Sequence, residues 1–266
     1  MADIKLLKNR IKSVDSTLHL TKAMGLVASS KIRRALDKMA RSREYEEAFS
    51  GLVGALSRSA ECMKSPFMAQ REIKKERIIV IAGDRGLAGG YNANVFRLLN
   101  EYENAEVITI GKRACDRFAQ DVVLAETFSP TDAAALSKKL CDDFKEEKFD
   151  RLGIISTKYV SMMSQEARID WVLPLKKDEK GKDASILFEP DEETILNSVI
   201  TEYVAGVIMA KVRESFASEV AARRCAMDSA GKNAQQMIDD LQLSYNRARQ
   251  SAITQELTEI VAGSNS

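Results

Sequence analysis

The 266 residues are 30% charged and 45% hydrophobic, with a formal net charge of +1. That length allows one or two domains with a real core, and the near-neutral balance gives no reason to expect a nucleic-acid partner. No uninterrupted run of eighteen apolar residues occurs, so the sequence predicts no membrane span.

Residues 3 to about 58 are expected to form a long helix. Ile4, Leu7, Ile11, Val14, Leu18, Thr21, Gly25, Ala28, Ile32, Ala35 and Met39 follow steps of three and four, the spacing of a coiled-coil seam. Gly25 would weaken an isolated helix by about 1 kcal/mol against Ala. In a seam it lets a neighbouring backbone approach, and Gly231 and Ala234 later in the chain suit such an approach. Residues 1–43 hold eleven Lys or Arg against three Asp. This is either a solvated face or a track for an acidic partner.

After Pro66 the pattern becomes that of an α/β domain. Strands are expected at 77–83, 107–110, 122–125 and 151–157, with an alternating edge strand at 167–173. Helices are expected at 92–103, 112–120 and 131–147, the last with Thr131 as its cap. Strands alternating with helices predict a small, Rossmann-like parallel sheet of about five strands. Lys176 to Ala184 reads as a charged surface loop. Pro190 marks the start of the last element.

From about Asp191 to Gly263 the chain has no proline and is rich in Ala, Glu, Gln, Arg and Met, which favour helix. Val220, Met227, Ala234, Leu241 and Ala248 step by seven, with Ile238, Tyr245 and Ala252 beside them. A helix of this length would run roughly 100 Å and needs a partner seam. The economical arrangement is α+β overall. The two terminal helices, residues 1–66 and 190–266, pair as an antiparallel two-helix coiled coil, and residues 67–189 form an inserted α/β domain. With facing positions summing to about 250, roughly seventeen C-terminal residues, ~25 Å of helix, project past the pair. Leu257, Ile260 and Val261 would then be exposed. They form either a frayed tail or a tip awaiting a socket.

Chemistry is sparse. Gly83, Gly86, Gly89 and Gly90 follow a strand and precede a helix, where a phosphate-binding turn would lie. The spacing is neither G-x-G-x-x-G nor a P-loop, and a tight turn is the alternative. His19, the only histidine, sits beside seam residue Leu18 with no nucleophile or ligand partner. Asp142-Asp143, Glu146-Glu147 and Asp239-Asp240 are adjacent on helices, so each pair diverges by about 100° and reads as a solvated face. Cys62, Cys115, Cys141 and Cys225 lack Cys-x-x-Cys spacing and read as reduced thiols of a cytosolic protein. Neither catalytic residues, cofactor nor metal is expected; the residues favour a protein that acts by shape and contact.

Three stretches resemble the gamma subunit of F-type rotary ATP synthases. They are Asn9-Arg-Ile-Lys-Ser-Val14 with Thr21-Lys-Ala-Met-Gly-Leu-Val-Ala28 and Lys31-Ile-Arg-Arg34, then Asp84-Arg-Gly-Leu-Ala-Gly-Gly-Tyr-Asn92, and finally Leu243 through Gly263. The resemblance implies a non-catalytic rotor shaft inside a hexamer of alpha and beta subunits. It implies that Met24, Arg249, Gln250, Thr254 and Glu256 meet the beta subunits as a bearing. It also implies that Glu189, in Phe188-Glu-Pro-Asp191, faces the membrane c-ring, and that the α/β domain docks that ring and the epsilon subunit. The Gly-Gly-Tyr-Asn form and the lack of an apparent presequence look bacterial. A peripheral protein at the cytoplasmic face of the cell membrane is the expectation.

Overall fold

The computed structural model describes residues 2–178 and 188–264. The elements in order are α1 (Ala2–Ser57), β1 (Glu76–Ile81), α2 (Tyr91–Leu99), β2 (Glu106–Ile110), α3 (Lys112–Phe118), α4 (Pro130–Lys145), β3 (Arg151–Tyr159), β4 (Gln165–Leu173) and α5 (Glu192–Ser264). They form two compact units, Met1–Ser29 with Arg223–Ser266, and Ser30–Ala222. The expected surface loop at Lys176–Ala184 falls largely outside the described residues.

In the first unit the start of α1 and the end of α5 run antiparallel. A Cβ placed on Gly25 would meet the Met227 Cβ at 3.7 Å, and one on Gly231 would meet Thr21 Oγ1 at 3.6 Å. Positions 25 and 227, and 21 and 231, sum to 252, two away from the expected register. Leu18, Ala234 and Ile238 are buried together, with Ile11 and Val14 packed against them. None of the seam residues from Ile4 to Met39 is exposed, whereas Leu6, Leu20, Leu26 and Val27 beside them are. The three-and-four spacing therefore picked out the buried edge of the helix.

The second unit is built on a four-stranded sheet in the order β2-β1-β3-β4. β1 pairs in parallel with both β2 and β3, and β4 pairs antiparallel with β3 at the edge. Successive residues of β1 face opposite layers, as strand geometry requires. Ile78 and Val80 pack under α2 with Val95 and Leu99. Ile79 and Ile81 pack on the other side with Phe144 of α4, Leu56 of α1 and Leu196, Ile200 and Val204 of α5. Each such side chain contributes roughly 1.5–3 kcal/mol relative to exposure. α5 also contains a stretch apolar and long enough, by composition, to cross a membrane; 56% of that stretch is buried inside the protein.

The expected strand at 122–125 is not one, so the sheet has four strands rather than five. The outer side of β2 is closed by a side chain instead. Gln120 Oε1 accepts from Thr109 N–H at 3.1 Å, and its Nε2 donates to the Val107 carbonyl at 2.8 Å. A single backbone bond, Gly111 N–H to the Val123 carbonyl, ties the segment alongside. An amide side chain has copied one rung of a ladder, leaving no pairing edge for the apolar run to join. The cap of α4 is Ser129, not Thr131. Ser129 Oγ accepts from Asp132 N–H and the Asp132 carboxylate accepts from Ser129 N–H, with Pro130 at the first helical position. α5 begins two residues after Pro190, where Asp191 accepts from Thr194 N–H and Oγ1, both at 2.8 Å.

Candidate bearing surface and the glycine loop

The Gly83–Gly90 loop is held by its own side chains. Gly83 N–H donates to Asn92 Oδ1 at 2.9 Å. The Asp84 carboxylate accepts from the backbone N–H groups of Lys112, Ala125 and Glu126 at 3.2, 2.9 and 2.8 Å. Leu87 and Gly89 take left-handed φ angles of 61° and 57°, which makes the turn tight. A Cβ on Gly83 would lie 2.9 Å from the carboxylate carbon of Glu219 on α5. Two carboxylates, Asp84 and Glu219, therefore stand at the end of β1, where a phosphate would need positive charge. The Arg113 guanidinium lies against the same loop, 2.9 Å from a Cβ placed on Gly86, and the loop's hydrogen bonds tie neighbouring elements together.

The expected bearing residues lie in the first unit, at two levels. Met24 is half-buried on α1, level with Met227 and Asp228 in the 252 register. Arg249, Gln250 and Thr254 are exposed on α5, about 30 Å further along that helix. The fold does not bring Met24 together with them. Thr254 Oγ1 donates to the Gln250 carbonyl at 2.9 Å, which holds that side chain against its own helix. The side chains of Glu256 and Val261 lie outside the described residues. In the same register Ala2 stands level with Gln250, so the last turns of α5 have no α1 beside them. Leu257 and Ile260 are 57% and 67% exposed.

At Gly25 and Gly231 the seam opens into a shallow groove of about 530 Å³ that runs past Leu18, Lys22, Leu26, Met227 and Lys232. The two glycines leave that space, since neither carries a side chain to fill it. Lys5, Lys8, Arg10, Lys12 and Lys22 are all exposed on this part of α1. The surface therefore combines an apolar seam, a notch and a positive flank, suited to contact with an acidic partner.

The family model described as ATP synthase matches residues 3–266. The ATP synthase gamma chain of Stenotrophomonas maltophilia (strain R551-3) is 39% identical, with 99% of each chain covered. The sodium ion specific ATP synthase gamma chain of Acetobacterium woodii is 38% identical, covering 97% of this chain and 96% of its own. The chain belongs to the ATP synthase gamma-chain family. The fold agrees. A chain of the Euglena gracilis mitochondrial ATP synthase matches with a TM-score of 0.70 at 20% identity, covering 98% of this chain and 93% of its own. A chain of the Tetrahymena thermophila mitochondrial ATP synthase central stalk/c-ring matches with a TM-score of 0.63 at 18% identity, covering 79% and 99%.

In this gamma chain Glu189 belongs to the second unit and is exposed, between half-buried Phe188 and the Asp191 cap. Sequence reasoning missed the ion pairs that join the two long helices in that unit. Arg43 of α1 meets Glu214 of α5 at 2.9 Å, and Lys211 of α5 reaches Asp170 of β4 at 3.1 Å and Glu46 of α1 at 3.7 Å. Burial raises the Glu46 carboxyl pKa, and the Lys211 ammonium opposes that rise. The available signal was the charged and polar cluster Lys211, Arg213, Glu214, Ser215, Ser218 and Glu219, which follows the apolar run Val204–Ala210 within the same helix.

Proposed function

We infer that this gamma chain is the central-stalk rotor shaft of a proton-translocating ATP synthase. It couples ion flow through the membrane ring to conformational cycling of the catalytic beta subunits. The observation that carries this reading is the antiparallel pairing of the chain's two distant ends, register 252, with the exposed apolar Leu257 and Ile260 beyond the pair. Exposed apolar residues at the end of an otherwise buried seam fit a sleeve supplied by other subunits. The shaft comprises residues 1–66 and 190–266 and carries the α/β domain of residues 67–189.

The chain does no bond chemistry of its own in this reading. A stiff pair of helices resists bending, and its unequal cross-section meets each beta subunit differently as it turns, biasing that subunit among nucleotide states. Met24, Arg249, Gln250, Thr254 and Glu256 face the beta subunits, and the positive flank of α1 meets acidic surfaces in the alpha–beta hexamer. Glu189 faces the polar loops of the c-ring, and the α/β domain docks that ring and the epsilon subunit. The complex lies at the cytoplasmic face of the cell membrane, with this chain peripheral to it. One relative, at 38% identity, is named as sodium ion specific; protons are the ion proposed here.

Detergent-solubilised membranes test this reading. A tag on this chain should recover the larger ATPase subunits and the ring proteins. Vesicles holding the purified complex should acidify on ATP addition without sodium. Recovery of the chain alone, with saturable nucleotide binding that Gly86→Val abolishes, would replace the shaft with an enzyme using the glycine loop.

A further inference from the structure

In an open α/β sheet of order β2-β1-β3, the ligand crevice lies outside the carboxyl ends of β1 and β3, where successive crossovers part to opposite faces. In this chain α5 fills it. The last β1–β3 pair is Val80 with Ile155, so Thr157 of β3 stands past the end of its neighbour. Thr157 N–H donates to Ser215 Oγ at 3.0 Å, and the Thr157 carbonyl accepts from Ser218 Oγ at 3.1 Å. Two serines three apart on one helix face thus bond the backbone of Thr157 past the end of β1, while β4 pairs with it through Ala167 on the other side. Tyr91, the first residue of α2, donates its hydroxyl to the Ser215 carbonyl at 3.0 Å. Glu219 closes the end of β1 against Gly83. Tyr91, Thr157, Ser215, Ser218 and Glu219 are all at most 5% exposed.

Burial of this kind is more directional than most of the contact. From Leu196 to Val212, α5 packs chiefly through apolar side chains, with single polar ties to α4, Ser137 Oγ to the Thr201 carbonyl, and to β4, Lys211 Nζ to Asp170. Apolar contact follows buried area and has no preferred direction, so it opposes separation more than it opposes rotation of a helix about its axis. Hydrogen bonds fail steeply with angle. Three of them, from two strand groups and one helix start, converge within a single turn of α5.

We propose that Ser215, Ser218 and Tyr91 form a torque joint, positioning residues that lock α5 to the sheet so that helix and α/β body turn as one. The proposal rests on the shaft reading. It gives the fold's ligand crevice a mechanical use: the place where a relative of this architecture would grip a nucleotide grips the chain's own helix. Torque arriving at the α/β body then reaches α5 through these bonds of fixed geometry, beside the Lys211–Asp170 ion pair, more than through apolar surface.

The test uses the complete membrane complex carrying Tyr91→Phe with Ser218→Ala. These changes remove two donors and leave only carbonyl oxygens behind, so no buried N–H is orphaned. ATP hydrolysis by the detached soluble sector should stay within about twofold of wild type, while ions moved per ATP in vesicles fall roughly threefold or more, because slippage replaces rotation of the whole. Ser218→Thr, which keeps the hydroxyl, should retain the wild-type ratio. An unchanged ratio in the assembled double variant overturns the joint, as does an equal loss with Ser218→Thr. Should the double variant fail to assemble, Tyr91→Phe alone is measured, and an unaltered ratio there overturns the proposal too. A wild-type complex that does not pump overturns the shaft reading itself, whereas wild-type pumping with indifferent variants overturns the joint alone.

Discussion

Gly25 of α1 and Met227 of α5 face each other across the antiparallel pair, with a Cβ on Gly25 3.7 Å from the Met227 Cβ. That is ordinary van der Waals contact, so the site has room for one methyl group. Gly25→Ala should therefore stabilise the isolated chain by about 0.5–1 kcal/mol, because alanine loses less backbone freedom on forming a helix. The measurement is the urea midpoint of unfolding. A lowered midpoint would mean that the helices approach more closely than this contact allows.

Gly111 behaves in the opposite way. Its φ is +98°, and a Cβ there would stand 2.0 Å from the Ala82 carbonyl oxygen. That oxygen is backbone at the end of β1 and has no rotamer by which to withdraw. Gly111→Ala should cost at least about 3 kcal/mol through the combined clash and strained dihedral. Thermal unfolding of the purified chain reads the effect directly.

Asp143 holds the buried Arg77 guanidinium at 2.6 Å and the Lys148 ammonium at 2.7 Å. Hydrogen bonds from Lys148 and then from Arg77 hold its carboxyl pKa below the ordinary aspartate value. A depressed native pKa means that the stabilisation is fully present above the unfolded value of about 3.9 and is lost as pH falls through the lower native one. Asp143→Asn should cost about 2 kcal/mol at neutral pH, less than the usual 3–5 for a broken buried pair, because Glu106 still meets Arg77. The variant should also show a shallower loss of stability below pH 4, measured by urea titration across the acid range.

Met24→Lys tests the bearing. A long cation here would reach acidic groups on the surrounding subunits, and an added ion pair of about 1 kcal/mol that must break at each step slows that step roughly fivefold. Assembly should be normal and ATP-driven pumping reduced. Normal pumping would remove Met24 from the bearing.

Glu189→Lys reverses a charge on the exposed turn ahead of α5. Pumping should fall while ATP hydrolysis by the detached soluble sector stays at the wild-type rate. A drop in soluble hydrolysis would place Glu189 against the hexamer instead of the ring.

Residue spacing alone determined the two seams, their antiparallel pairing and the register to within two positions. Such periodicity is a property of one helix, and every buried position from Ile4 to Met39 announces itself by step length. The sheet's central strand was legible for a different local reason, since Ile78 to Ile81 are apolar without interruption. The limits appeared where a local pattern had two outlets. Val122 to Ala125 carries the composition of a strand, yet whether it joins a sheet depends on an open edge, and Gln120 had already taken that edge. The glycine loop likewise suited either a phosphate or a tight turn. Only the tertiary structure shows what surrounds it, with the Glu219 carboxylate, 136 positions away in the chain, beside Gly83 and the Arg113 guanidinium beside Gly86. Charge and hydrogen-bond complementarity between distant segments depend on which surfaces meet. No window of sequence contains that information, so the crevice and its polar ties to α5 were visible only in the folded chain.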